Sequence, residues 1–185
     1  LPYPLFVLCG LVYWTFFSNA LTSASNSLVV NEDIIKKVYF PKLIAPIAAI
    51  GPAFLEFGIN LILLLIGALW YIKIPSPFAL LVLPLAFFVT CTTTIGLGLF
   101  LSAVNVKYRD VRLILPFFIQ LLLFVSPIIY PTTILLKSHL YLVSLNPMTG
   151  VVDAVRTVMS GSTAFNYPII IISCVSSVVI LLVGL

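Results

Sequence analysis

Five runs of this chain are long or apolar enough to cross a membrane, and they leave few residues over for anything else. They cover residues 5–30, 43–72, 78–104, 113–130 and 169–185. A bilayer core of about 30 Å takes roughly 20 helical residues. A soluble domain typically carries about a quarter of its residues charged, whereas only 8% are charged here. So few charges cannot cover so much apolar surface in water. The chain is therefore expected to fold as an all-α integral membrane protein, a polytopic bundle of transmembrane helices whose backbone groups are satisfied internally. The net charge of +4 is small and scattered, which argues against a nucleic-acid footprint and leaves the basic residues as topology signals. Cys9, Cys91 and Cys174 lie far apart inside apolar runs. They read as small buried side chains, not as disulfide partners or metal ligands.

The second run is too long for a straight crossing, because as a helix it would extend about 45 Å. Pro46 and the pair Gly51-Pro52 offer a break, and Pro suits the first turn of a new helix. Residues 52–72 are then the span, and 43–51 a connector at the interface. Basic residues in short loops set orientation. Lys36, Lys37 and Lys42 follow the first span, and Lys107, Arg109 and Arg112 the third. Only Lys73, Lys137 and Arg156 fall on the other side, so residues 31–42 and "NVKYRDVR" are expected to face the cytoplasm. Pro2-Tyr3-Pro4 then starts outside. The chain opens without Met, and no basic region precedes its first run. It is expected to be a fragment lacking the first span rather than to carry a signal peptide.

"SPIIYP" closes the fourth span with two prolines. Two short helical patterns follow, divided by Asn146-Pro147. Neither is long enough to span, so residues 132–160 are expected to form a re-entrant hairpin in the outer leaflet.

The stretch "NEDIIKKVYFPK", residues 31–42, holds five of the chain's fourteen Asp, Glu, Lys and Arg residues. Asn31 is a good helix N-cap, and Glu32 and Asp33 occupy the first turn, where the helix dipole favours acids. Lys36 and Lys37 lie four residues on, in the favourable order for pairing, and Pro41 stops the helix. At 100° per residue Asp33, Lys36 and Lys37 share one face, with Glu32 at its edge, while Ile34, Ile35, Val38 and Tyr39 share the other. Two readings fit this short amphipathic helix. Its apolar face rests on lipid, or it inserts into a groove on a cytoplasmic partner.

"NEDIIKKVYFPKLIAPIAA", "SAVNVKYRDVR" and "LNPMTGVVDAVR", at their respective distances, resemble the membrane subunit of ABC-2 type exporters. Within that group they resemble the polysaccharide branch, which exports O-antigen, teichoic acid and capsule polymers. The likeness runs over essentially the whole chain. It implies a single transmembrane domain over residues 1–185 that covers the second through sixth membrane helices. It also implies a coupling helix seated in a cleft of a separate cytoplasmic ATPase. Carried over, that helix lies within 31–40, on Asn31, Glu32, Asp33, Ile34, Ile35, Lys36, Lys37, Val38 and Tyr39. Where the family often has Arg followed by Glu, this chain has Lys42-Leu43 after Phe40-Pro41. That departure bears on a salt bridge from this spot and not on the helix. No G-x-x-x-x-G-K-[ST] loop is present, so ATP and magnesium are expected on the partner and no cofactor on this chain.

Other polar residues inside apolar runs are candidates for function. Glu56 is the one acid well inside a run, with Asn60 a turn away. An intramembrane carboxylate is a functional suspect, but at the start of a helix at Pro52 it would sit near the cytoplasmic interface, in a structural or gating role. Asn19, Ser23 and Asn26 recur at helical spacing, as interhelical hydrogen-bonding groups or as a conduit wall for sugar hydroxyls. Tyr13 and Trp14 precede them, as bundle packing or as stacking platforms. Thr90, Thr94, Gly98 and Ser102 form a small-residue stripe suited to close packing. Asp153 and Arg156 are spaced to pair on a short helix, where the resemblance implies gate helices. His139, the only histidine, reads as a surface residue.

The expected function is the transmembrane subunit of an ATP-driven exporter of lipid-linked polysaccharide, a homodimer in the bacterial inner membrane and not itself an enzyme. The alternatives are an ABC-2 exporter of drugs or lipids, a membrane-embedded glycan enzyme and a purely structural anchor. An enzyme would need paired carboxylates or a metal cluster at the membrane surface, and the acids here do not supply them.

Overall fold

The computed structural model describes residues 2–37, 41, 43–72, 77–108, 110–130, 142–162 and 164–185. Among the described residues the chain is helical, with no strand: α1 Tyr3–Val30, α2 Glu32–Lys37, α3 Ile44–Ala49, α4 Gly51–Ile72, α5 Ala79–Lys107, α6 Val111–Val125, α7 Pro147–Met159 and α8 Tyr167–Gly184. Four stretches are long and apolar enough to cross a membrane: α1, residues Ile44–Trp70, α5 and α8.

α1 and α5 are the spine. They run parallel, for Tyr13 Oη donates to the Leu83 carbonyl at 3.1 Å toward one end, and Asn105 Nδ2 donates to the Ser25 carbonyl at 3.1 Å toward the other. α4 packs antiparallel on α1, with Leu5 beside Gly67 and Asn19 beside Glu56. α1 lies deep in the bundle, with Cys9, Val12, Tyr13, Phe16, Phe17, Ala20 and Leu21 buried. A cluster of rings ties three helices together. Phe57 of α4 stacks on Phe87 of α5 at 4.2 Å, and Phe16 of α1 meets both at 5.4 and 5.1 Å. The small-residue stripe packs as expected of it. A Cβ added to Gly98 would come within 2.8 Å of Ala24, which shows how closely α5 crosses α1.

Residues 44–49 form a short helix of their own, α3, ahead of the break that the sequence places at Gly51-Pro52. α3 packs against α1 and α5, and Pro46 is buried. Pro52 lies in the first turn of α4, where its missing N–H is not needed. One expectation is corrected: the fourth helix stops five residues short of Tyr130. Ser126 is extended at ψ 138° because Pro127 follows it, which leaves α6 with 15 residues, about 22 Å.

α7 is enclosed between α1, α5 and α8. Its first turn is capped by Asn146, whose side chain accepts from Met148 N at 3.1 Å and donates to Ser126 Oγ at 2.7 Å. Gly150 N donates to Ser173 Oγ of α8 at 3.1 Å, and that hydroxyl donates on to the Ser144 carbonyl. The other arm expected for a hairpin falls at 132–141, outside the described residues.

Candidate functional site

Polar side chains gather at three levels of the bundle. At the end where α1, α5 and α4 carry their Lys-rich connections, Asn105 spans the α1–α5 seam. Its Nδ2 donates to the Ser25 carbonyl and to Asn26 Oδ1, both at 3.1 Å. Asn26 is thus committed to helix–helix bonding and also donates to the Thr22 carbonyl. Just below, Asn31 closes α1 by donating from Nδ2 to the Ser27 carbonyl at 2.8 Å. This bond joins it to the end of α1, a role the reading of Asn31 as an N-cap did not include. Its own carbonyl accepts from Ile35 N at 3.0 Å and begins α2. Glu32 and Asp33 fill the first turn of α2, Ile35 is half-buried, and Asp33 and Lys37 are exposed. Val38 and Tyr39 lie outside the described residues, as do the side chains of Ile34 and Lys36.

At mid-span Asn19 Nδ2 donates to Glu56 Oε2 at 2.7 Å, bridging α1 and α4 on the exposed face of both. The sequence points to each residue separately and to Asn60 as the neighbour of Glu56; the structure pairs Glu56 with Asn19. Asn19 lies about 17 Å along α1 from Val30, so the carboxylate it holds, the sixth residue of α4, stands level with the middle of α1. Ser23, one turn from Asn19, is exposed as well, and Thr15 and Asn60 are half-buried on either side. Tyr13 and Trp14 do not share this face. They are 0% and 5% exposed, Tyr13 packed on Phe57 and hydrogen-bonded to the Leu83 carbonyl and Trp14 packed on Phe17.

At the opposite end lies Arg156, 6% exposed. Nη1 donates to the Pro127 carbonyl at 2.6 Å, Nη2 to the Ile128 carbonyl, and Nε to the Phe6 carbonyl at 3.2 Å. The guanidinium sits 3.6 Å from the Phe6 ring centroid. Burial lowers its pKa to about 10, so it remains charged at neutral pH. Asp153, the partner expected from the sequence, acts on the guanidinium electrostatically, while the Pro127 and Ile128 carbonyls lie outside any helix ladder because α6 ends at Val125. Non-helical backbone at membrane depth is tolerated only when protein satisfies it, and Arg156 does so. Gly10 is the residue that sequence reasoning missed. A Cβ there would meet Ile128 at 2.9 Å and Arg156 Nη2 at 3.3 Å, so its lack of a side chain lets α1 approach the guanidinium.

Among the described residues no group of His, Cys, Asp and Glu could hold a metal ion. The chemistry on offer is hydrogen bonding along a polar seam and mechanical connection between a cytoplasmic element and the spine.

Residues 4–160 match the family model described as ABC-2 type transporter. The chain is 25% identical over 183 residues to an O-antigen export system permease protein RfbA of Klebsiella pneumoniae, covering 99% of this chain and 70% of that one. It is 25% identical over 158 residues to the protein of the same name from Myxococcus xanthus, covering 84% and 60%.

Proposed function

Because this chain belongs to the ABC-2 type transporter family, whose model it matches over residues 4–160, we propose that it is the membrane subunit of an exporter that moves lipid-linked polysaccharide outward. It is a multi-pass protein of the bacterial inner membrane. The observation that carries the reading is the family match, which runs unbroken from α1 through α7 and includes the charged connection after α1. Relatives over nearly the full length are O-antigen export permeases, and their cargo gives the substrate class.

In this reading ATP is hydrolysed on a separate ATPase subunit that binds magnesium, and two copies of the membrane subunit enclose the path. Residues 31–39 are the coupling helix. Closure of the ATPase pushes α2, α2 pushes the end of α1 through Asn31, and Asn105 carries the displacement from α1 to α5. Asn19, Ser23 and Glu56 face the path.

The test is copurification. The intact protein is expected to bring its ATPase with it from detergent extracts, and Ile35→Asp combined with Tyr39→Asp to lose the ATPase while still inserting in the membrane. Undiminished copurification of the double variant refutes the coupling role.

A further inference from the structure

The outward face of α4 is a lipid-type surface, with Leu55, Ile59, Ile62, Leu63 and Ile66 all exposed. It is interrupted once, by Glu56. That carboxylate is exposed and is held level with the middle of the 28-residue α1 by the 2.7 Å bond from Asn19. A carboxylate left facing hydrocarbon at the centre of a span costs about 2.5–3.5 kcal/mol. A single hydrogen bond from an amide does not offset that. The face shared by Asn19, Ser23 and Glu56 therefore meets water or a polar chain during the working cycle.

Its charge is of one sign. Glu56 brings a carboxylate, while Asn19, which spends one N–H on Glu56, and the Ser23 hydroxyl are neutral. The buried cation among the described residues, Arg156, is committed to three carbonyls at the other end of α1. From this arrangement we infer that the α1–α4 seam is a charge-selective wall, which passes glycan chains bearing hydroxyl or amine donors and disfavours chains carrying a phosphate or carboxylate in every repeat. Sugar hydroxyls donate to the carboxylate, and ammonium groups are attracted to it. A phosphodiester brings acceptors to acceptors and a like charge to a site where field lines are poorly screened. The inference rests on the exporter reading and adds the charge class of the cargo to it.

The experiment uses the full-length protein with its ATPase in membrane vesicles. Ser23→Cys is exposed to a cationic and an anionic methanethiosulfonate, with the native buried and half-buried thiols as background. The cation is expected to react severalfold faster, drawn by the Glu56 carboxylate in a water-filled seam. Glu56→Gln, which keeps an acceptor for Asn19, is expected to abolish that preference. The same vesicles are loaded with a lipid-linked polymer of neutral hexoses or with one bearing a phosphodiester in each repeat. Wild type should favour the neutral polymer, and Glu56→Gln should narrow the ratio. An unreactive Ser23→Cys places the seam against lipid or a second copy and overturns the inference. So does equal reaction with both reagents, or equal transport of both polymers by wild type. Wild-type vesicles that move neither polymer overturn the exporter reading itself.

Discussion

Arg156 has been placed where its five N–H donors matter more than its charge. Two of them go to the Pro127 and Ile128 carbonyls, which lie beyond the end of α6, and a third to the Phe6 carbonyl within α1, and the guanidinium lies over the Phe6 ring. Arg156→Ala leaves the Pro127 and Ile128 carbonyls without this donor, at about 1–3 kcal/mol each before relaxation. The purified variant is expected to melt well below wild type in detergent. Arg156→Lys keeps the charge but reaches with a single nitrogen and cannot stack, so it should recover only part of the loss. A melting temperature for the alanine variant within a degree of wild type would show that the carbonyls find other partners. At this scale the sequence marks the right residues without their relations. Glu56, Asn19 and Arg156 stand out as polar groups inside apolar runs, yet the partners lie 37 positions away for Asn19 and Glu56 and 150 for Arg156 and Phe6. No local periodicity encodes such distances. Gly10 carries no signal at all until Arg156 is seen against it.

The helices hold together through close crossings more than through large side chains, as expected where lipid supplies no hydrophobic drive between them. Gly96 is one such crossing. A Cβ on it would lie 2.6 Å from Leu181 Cα and 2.7 Å from the Ile180 carbonyl, both backbone atoms that cannot swing aside. Gly96→Ala is therefore expected to push α8 off α5 and to destabilise the protein by about 1–3 kcal/mol. Gly58→Ala meets nothing within 4 Å, so it should be neutral or slightly stabilising, by up to about 1 kcal/mol of helix propensity. Paired thermal melts check both, and equal effects would mean that the crossing is looser than drawn. Elements themselves were the most legible layer, because Pro and charge punctuate the apolar runs. α1, α5 and α8 lie close to their expected bounds. The break before Pro52 separates α3 from α4, whereas Pro127 ends a helix that is expected from the sequence to run on, because a proline is hard to weigh by sequence alone.

For the molecule as a whole, polar contacts fix which helix ends lie together, independently of the charge pattern. Tyr13 with Leu83 and Arg156 with Phe6 define one end, and Asn105 with Ser25 and Asn26 defines the other. Packing cannot say which of these ends is cytoplasmic. The distribution of Lys and Arg can, since six of the nine basic residues attach to the Asn105 end, and positive loops stay inside. The two arguments join in one prediction. Lys37→Cys and Lys107→Cys, both at exposed positions, are expected to react with a membrane-impermeant maleimide only after the cytoplasmic side is opened. Tyr167→Cys, exposed at the start of α8, is expected to react in intact cells. Because the contacts lock the ends together, the three positions must switch as a group. Labelling of Lys37→Cys and Lys107→Cys from outside, with Tyr167→Cys protected, would invert the bundle and leave α2 out of reach of any ATPase. A mixed pattern would break the parallel pairing of α1 with α5 that the rest of the architecture is built on.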